Sequence, residues 1–272
     1  MRRIIAFAVF LLASTTFAQL TYDPAKLVYT TDRKAHTIDE LGKLFNTVLR
    51  QPRPVVLFVH GRGDEPQKSL AKKDGAALGL EEDYGLKVLM YDWESKAAST
   101  KDRARPLSHM TEAQERFGMV IDKLGQTLLN LEREGVTPTK ITLLAHSMGT
   151  IVVERYVEAN NAWRTPGGRP LFTTVVICSS DTARVGHAAW VDKIADVERR
   201  IFISVNSRDV VLGQSRTANP PNPSPLGKDE PGDQKSQRAN VTYSVVKSLN
   251  HELFDTGNGR PFFRAVLLGN EP

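Results

Sequence analysis

The sequence predicts an α/β fold in which helices cover both faces of a mostly parallel central sheet. Three observations support this prediction: apolar runs of strand length recur along the chain, stretches with helical periodicity alternate with them, and several runs are apolar at every position. Strands that alternate with helices favour a parallel sheet. A strand that is apolar throughout is typical of a sheet buried on both faces.

The predicted elements follow one another in a regular order. Thr37 and Glu40 match a capping box, and apolar residues then recur at helical spacing as far as Val48, which predicts the first helix. Thr111 and Gln114 match a second capping box, before a long amphipathic stretch. Strands are predicted at 54–59, 86–91, 140–145, 172–178, 201–205 and 241–246, and further helices at 67–80, 117–131, 148–159 and 190–198.

The segment 213–240 interrupts this order. It is rich in Pro, Asn, Ser, Asp and Lys, and its apolar residues show no period. Such a composition buries little apolar surface and predicts weak ordering. Two interpretations remain open, a passive insertion and a mobile flap beside the functional site. Because no linker divides the chain elsewhere, we predict one domain over 19–272 that contains this insertion.

The first 18 residues match a secretory signal peptide. Arg2 and Arg3 precede an apolar run, and small residues end at Ala18. The apolar run is shorter than the roughly 20 residues that a membrane-spanning helix needs. We therefore expect cleavage after Ala18 and an exported protein, periplasmic or secreted. The single cysteine, Cys178, excludes an internal disulfide.

The charge of the chain is mildly positive and scattered. The formal net charge is +5, and it falls to about +3 when Arg2 and Arg3 leave with the signal peptide. This pattern predicts no nucleic-acid partner, although long-range attraction to an anionic envelope surface is compatible with it. No cluster of His, Asp or Glu has the spacing of metal ligands, so the sequence predicts neither a metal nor a cofactor.

The most informative motif lies at residues 141–150. A buried strand leads directly through Ala145, His146, Ser147, Met148 and Gly149 into a predicted helix, which is the context of a nucleophile elbow. The small residues at 145 and 149 allow strand and helix to approach each other. The serine hydroxyl would project from the sheet at the positive end of the helix. The alternative is an ordinary strand-to-helix turn.

Four short motifs each follow a predicted strand: HG at 60–61, DWES at 92–95, HSMG at 146–149 and NSRD at 206–209. Together they resemble the α/β-hydrolase superfamily, and within it a poorly characterised bacterial family of esterase/lipase-like proteins with a Trp-x-Ser box. The resemblance covers most of the mature chain but not the Pro-rich segment. No long helical insertion separates the strands after the elbow, so no large cap domain is expected.

The resemblance implies a catalytic triad in the chain order nucleophile, acid, histidine. With Ser147 as nucleophile, only His187 and His251 follow it as candidates for the base. His251 comes just after the last strand, where this fold carries its base, whereas His187 is predicted to open a surface helix. For the acid the resemblance favours Asp209, with Asp181 as the alternative after the preceding strand.

The resemblance also implies an oxyanion hole made of backbone N–H groups. These would come from Met148, directly after the nucleophile, and from Arg62 in the loop after the HG motif. His60 and His146 are expected to pack around the elbow. The Trp-x-Ser box at 92–95 is expected to be structural or to line the pocket.

The predicted function is the hydrolysis of carboxylic esters or thioesters through an acyl-enzyme, with small-molecule or lipid-like acyl substrates. Two alternatives remain open at this point. One is an acyltransferase or amidase that uses the same three residues. The other is a non-catalytic envelope binding protein that has kept the fold, because a fold alone does not prove an activity.

Overall fold

Eight strands form one central sheet in the computed structural model, which describes residues 22–71, 75–96, 104–163, 166–218, 224–255, 257 and 259–270. The predicted signal peptide at 1–18 lies outside these residues. The strands are β1 Val28–Thr30, β2 Ala35–His36, β3 Val55–Val59, β4 Lys87–Tyr91, β5 Ile141–His146, β6 Thr174–Cys178, β7 Ile201–Val205 and β8 Val241–Val245. The helices are α1 Ile38–Leu49, α2 Pro66–Ser69, α3 Ala76–Tyr84, α4 Ala104–Ser108, α5 Met110–Arg133, α6 Gly149–Asn160, α7 Ala188–Ala195, α8 Val210–Ala218 and α9 Arg260–Leu267.

The strand order across the sheet is β2-β1-β4-β3-β5-β6-β7-β8. The six strands from β4 to β8 in this order run parallel, and β1 and β2 pair antiparallel at one edge. The predicted fold class, a mostly parallel sheet between helices, is confirmed. The described parts of the connections between consecutive strands from β5 onward each contain a single α-helix.

The order of the strands marks the place where a site can form. The chain runs from β3 outward to β4 and then returns to place β5 on the other side of β3. At such a reversal the loops after the two central strands diverge, and a crevice opens at their carboxyl ends. In this protein the loop that begins at His60 follows β3, and Ser147 follows β5.

The central strands are buried on both faces because helices pack on each side. In β3, the odd-numbered residues from Val55 to Val59 join one hydrophobic cluster, while Val56 and Phe58 join the other. Successive side chains of a strand point to opposite faces, so an unbroken apolar sequence fills both clusters. The first cluster includes residues of α1, α5, α6 and α7, and the second includes residues of α3 and α9.

Several elements differ from the sequence prediction. Residues 28–36 form a short hairpin whose strands are too brief to show a pattern, with Arg33 at φ 66° in its turn. The helix predicted at 67–80 is divided into α2 and α3, and α8 and α9 were not predicted at all. The predicted capping box at Thr111 is wrong, since Thr111 lies inside α5 and α4 ends just before that helix.

Residues 224–228, which belong to the predicted insertion at 213–240, are joined to neighbouring loops, whereas residues 219–223 lie outside the described residues. Leu226 is fully buried, and its N–H donates to Thr182 O at 2.9 Å. The N–H of Gly227 donates to Ser180 O at 2.9 Å, and the Gly227 carbonyl accepts the N–H of Asn206 at 2.8 Å. Backbone hydrogen bonds thus hold this part between the loops after β6 and β7. Such bonds do not depend on apolar content, which is why composition did not reveal them.

In the part of the chain that the structure describes, the helices are all too short or too polar to span a membrane.

Candidate active site

The turn between β5 and α6 places Ser147 in the left-handed region of the backbone, at φ 53°. Its N–H donates to Cys178 O at 3.0 Å, and its carbonyl accepts the hydroxyl of Thr150 at 2.6 Å. A non-glycine residue rarely adopts this conformation, and where one does, the surrounding structure must enforce it. These bonds to the neighbouring strand and to the first turn of the helix supply that enforcement.

Gly149 allows α6 to begin directly against the neighbouring strand. A Cβ atom at this position would lie 2.4 Å from His60 O and 2.5 Å from Val59 O. In the sequence analysis, a small residue at position 149 was expected because α6 must approach the strand that precedes it, β5. The structure shows that the close contact is with the backbone that ends β3. This contact brings the loop after β3 to the side of Ser147.

Replacing Gly149 with alanine is expected to destabilise the protein, because backbone atoms cannot move aside for the added methyl group. Overpacking of this kind costs about 3 kcal/mol, which corresponds to a Tm lower by roughly 9 °C for a domain of this size. Gly79 in α3 is the matched control, since nothing lies within 4 Å of its added Cβ. G79A should raise the Tm slightly. Equal Tm values for G149A and the wild type would contradict the role assigned to Gly149.

The loop after β3 is held by the box at 92–95. Trp93 Nε1 donates to His60 O at 2.9 Å, and the Gly63 N–H donates to Ser95 Oγ at 3.1 Å. The His60 ring is fully buried, stacks on Trp93, and lies 3.3 Å from a carboxylate oxygen of Asp92. These contacts agree with the structural role expected for the box and with the packing expected for His60. They fix the backbone that lies beside Ser147.

The side chains of Asp209 and His251 are in direct contact. Asp209 Oδ2 accepts a hydrogen bond from His251 Nδ1 at 2.8 Å, and Asp209 Oδ1 accepts the N–H of Leu212 at 2.9 Å. The carboxylate therefore caps the start of α8 with one oxygen and binds the imidazole with the other. It is fully buried, and its position at a helix N-terminus favours the negative charge.

The alternative acid, Asp181, has other partners. Its Oδ1 accepts the hydroxyl of Ser215 at 2.7 Å, and its N–H donates to Ser147 O at 3.4 Å. Of the two ring nitrogens of His251, Nδ1 bonds to Asp209, and Nε2 has no hydrogen-bond partner in the described part of the chain. The contacts in this structure thus favour Asp209 over Asp181 as the residue that orients His251.

The unpartnered Nε2 of His251 is buried, and the ring as a whole is 14% exposed. Ser147 is 7% exposed, and its hydroxyl makes no hydrogen bond to this nitrogen. In active sites without substrate such bonds are often long and tighten when substrate binds. A shift of the serine side chain or of the ring is therefore required before a proton can pass between them.

His146 joins the turn at Ser147 to the segment that carries His251. The His146 and His251 rings lie 4.8 Å apart, and His146 Nε2 is 3.4 Å from the carbonyl oxygen of His251. Burial, together with the nearby His251, lowers the pKa of His146 to about 3. His146 is therefore neutral at physiological pH, and with its proton on Nε2 it donates to that carbonyl. This agrees with the packing role expected from the sequence.

The two predicted oxyanion donors belong to the turn at Ser147 and to the loop after β3. Met148 precedes α6, and its N–H has no acceptor among the described residues. Arg62 lies between Gly61 and Gly63 in the loop held by the box. A Cβ added at Gly61 would lie 2.9 Å from Ser147 Cβ, so this loop directly adjoins Ser147. The assignment of these two N–H groups as oxyanion donors stays a prediction.

The prediction that His187 opens a surface helix is wrong in one respect. The residue does precede α7, but it is 1% exposed. Its Nδ1 bonds to Arg184 O and its Nε2 to the hydroxyl of Tyr243, both at 2.6 Å. The loop around residues 184–187 folds over the ring, which a helical pattern in the sequence does not reveal.

Sequence reasoning missed the buried residue Ser179, and it included the buried Asn206 in the NSRD motif without assigning it a contact with the His251 segment. Each follows the end of a strand, β6 or β7, and each contacts the segment that carries His251. Their position after a buried strand was a usable signal, since the same rule had led to Ser147 and Asp209. In the described residues no group of three or more His, Cys, Asp or Glu side chains has metal-binding geometry.

Residues 37–256 match a family model whose description is "Alpha/beta hydrolase of unknown function (DUF900)". No curated protein sequence matches the chain.

Several solved structures match the chain at low identity. The monoacylglycerol lipase of Paleococcus ferrophilus is 15% identical, with a TM-score of 0.42 over 79% of this chain and 91% of that one. A thermostable carboxyl esterase from Bacillus coagulans is 12% identical, with a TM-score of 0.43 over 81% and 89% of the two chains. For carboxyl esterase 2 of Tuber melanosporum the identity is 13% and the TM-score 0.40, over 80% and 76%. At these identities the similarity concerns only the fold.

Proposed function

The chain belongs to the family of α/β hydrolases of unknown function that matches residues 37–256, and from this premise we propose that it is a serine hydrolase. Its substrates are carboxylic esters or thioesters, and the reaction passes through an acyl-enzyme. Ser147 is the nucleophile, His251 the base and Asp209 the residue that orients the base.

One observation carries the proposal. A buried imidazole is bound at Nδ1 by a buried carboxylate at 2.8 Å, while its Nε2 has no partner among the described residues. With Asp209 ionised, the proton of neutral His251 lies on Nδ1, and the lone pair of Nε2 can accept another. When Nε2 accepts that second proton, Asp209 also stabilises the imidazolium that forms. We assign the role of proton donor to Ser147, which adopts a strained φ of 53° and directly follows His146, whose ring lies 4.8 Å from that of His251.

In the acylation step, Ser147 Oγ attacks the acyl carbon while its proton moves to His251 Nε2. The carbonyl electrons move onto oxygen, and the N–H groups of Met148 and Arg62 stabilise the resulting oxyanion. Loss of one such donor costs about 3 kcal/mol of transition-state stabilisation. The bond to the leaving oxygen or sulfur then breaks, and the leaving atom takes the proton from Nε2. The product is an ester between the acyl group and Ser147.

In the deacylation step, water takes the place of the leaving group. His251 Nε2 accepts a proton from the water as its oxygen attacks the acyl carbon, and the oxyanion forms again. The bond between the acyl carbon and Ser147 Oγ then breaks, and Oγ takes the proton back from Nε2. The released product is a carboxylic acid. An alcohol or amine that replaced the water would make the same site an acyltransferase.

A serine-directed fluorophosphonate and a series of p-nitrophenyl esters of increasing acyl length would test the proposal on the mature protein. We expect covalent labelling of one residue per chain and a burst of p-nitrophenol when acylation is faster than deacylation. Added alcohols or amines at several concentrations would show whether acyl groups pass to an acceptor other than water. If the protein is not labelled and hydrolyses no ester of the series, the proposed reaction is refuted and a binding protein is favoured.

Export of the protein is a further part of the proposal. It depends on the sequence pattern of residues 1–18 alone. Mass analysis of the N-terminus of the native protein should show a chain that begins at residue 19, and an intact N-terminal Met1 would contradict it.

A further inference from the structure

The segment that carries His251, residues 248–251, has little apolar packing of its own. Leu249 is 68% exposed, and Asn250 is exposed as well. The segment follows β8, which lies at one edge of the sheet and so has a neighbouring strand on one side only. Its position therefore depends on polar contacts from the loops after β5, β6 and β7.

Asn206, which follows β7 and is fully buried, fixes the residues before His251. Its Nδ2 donates to Ser248 O at 2.8 Å and to Asn250 O at 3.3 Å. Its Oδ1 accepts the N–H of Ser248 at 3.2 Å. One amide side chain thus replaces the strand pairing that the segment lacks, but these bonds end at residue 250.

Ser179, which follows β6, continues this support to His251 itself. It is fully buried, and its Oγ donates to the main-chain carbonyl of His251 at 2.6 Å. His146 Nε2 reaches the same carbonyl, but at 3.4 Å. The serine hydroxyl therefore forms the shorter of the two bonds that hold this carbonyl.

The backbone of Ser179 is strained, with φ at 46°. The left-handed region favours glycine, and glycine at this position would relieve the strain. Ser179 nevertheless carries a side chain whose hydroxyl is directed at the candidate base, and its N–H donates to Ser204 Oγ at 3.1 Å. A strained, buried residue with such a contact points to a functional requirement for the side chain.

We propose that Ser179 is a positioning residue for His251, an inference that rests on the serine-hydrolase function proposed above. The imidazole is attached at two points, through Nδ1 to Asp209 and through its own carbonyl to Ser179. Two attachments fix the direction in which Nε2 points. When the hydroxyl is removed, the backbone of residue 251 can shift, and a misplacement of about 1 Å in a catalytic group costs on the order of 100-fold in rate.

S179A and S179G test this proposal because they separate activity from stability. Both remove the hydroxyl, but glycine also removes the backbone strain, so S179G should unfold at a higher temperature than S179A. We expect kcat and the rate of fluorophosphonate labelling to fall about 100-fold in both variants. KM should stay close to the wild-type value, since Ser179 is buried below the site. If both the activity and the Tm are higher in S179G than in S179A and approach the wild-type values, the role of Ser179 is purely structural and the proposal is overturned.

Thr142 provides the matched control. Its buried hydroxyl donates to Leu267 O at 3.3 Å, at the opposite end of β5 from Ser147. T142V removes a comparable buried bond and should keep the wild-type kcat. Fluorophosphonate labelling of S147A tests the underlying function separately. If S147A is still labelled, the proposed function is refuted, and the role proposed for Ser179 is refuted with it. If S147A does not label but both Ser179 variants stay near wild-type rates, only the role of Ser179 is refuted.

Discussion

Replacing Ser147 with alanine is expected to lower kcat by about 10⁶-fold and to abolish fluorophosphonate labelling. The loss is large because the alanine variant has no atom that can form the acyl-enzyme, and His251 then has no hydroxyl to activate. A small residual rate should remain, since the backbone N–H groups and substrate binding still favour attack by water. Steady-state kinetics on a p-nitrophenyl ester, together with intact-mass analysis of the labelled protein, would measure both effects.

Ser69 offers a control for this experiment. It lies in α2, is 1% exposed, and its hydroxyl has no hydrogen-bond partner in the described residues. S69A therefore removes a buried polar atom without breaking a bond, and it should retain the activity and the stability of the wild type. If S147A keeps a rate within tenfold of the wild type while S69A behaves as expected, Ser147 is not the nucleophile.

The second large effect is expected for Asp209. In D209N the side-chain oxygen can still accept the N–H of Leu212, but an amide NH₂ group then faces His251 Nδ1. Because that group cannot accept a hydrogen bond, the imidazole proton moves to Nε2, and the ring can no longer take the proton of Ser147. A change of tautomer of this kind lowers kcat by about 10⁴-fold. The KM for a small ester should change little.

The same measurement on D181N decides between the two candidate acids. Asp181 accepts a hydrogen bond from Ser215, and an asparagine oxygen can do the same. D181N is therefore expected to lose far less activity than D209N. The reverse result, a loss of about 10⁴-fold in D181N and near-normal turnover in D209N, would assign the acid to the loop after β6. Thermal unfolding of both variants would show that neither loss reflects a failure to fold.

The parallel strands could be predicted because a strand that is apolar at every position indicates burial on both faces of the sheet. The predicted and observed bounds of β3, β4, β7 and β8 agree within one residue. The hairpin of β1 and β2 could not be predicted, because strands of three and two residues carry no usable period. The helix α9 was missed although Pro261 stands in its first turn, where proline often begins a helix.

Burial of single polar residues was the least predictable property. The pattern around His187 indicated a helix start, and the structure has one, but the ring is buried between Arg184 and Tyr243. The ordered conformation of residues 224–228 likewise could not be predicted, because it depends on backbone hydrogen bonds to distant loops. In both cases the stabilising contacts join segments that are far apart in the chain, so no local sequence pattern predicts them.

The amino-acid sequence was sufficient to predict the α/β fold, the strand-to-helix turn at Ser147 and the short set of residues from which a base and an acid could come. These features depend on local patterns, namely apolar runs, small residues at a sharp turn and polar residues directly after strands. Contacts between distant segments of the folded chain were needed to show that Asp209 rather than Asp181 contacts His251, and that Ser179 binds the His251 carbonyl. The order of the strands in the sheet brings these loops together, and that order is a property of the folded chain as a whole.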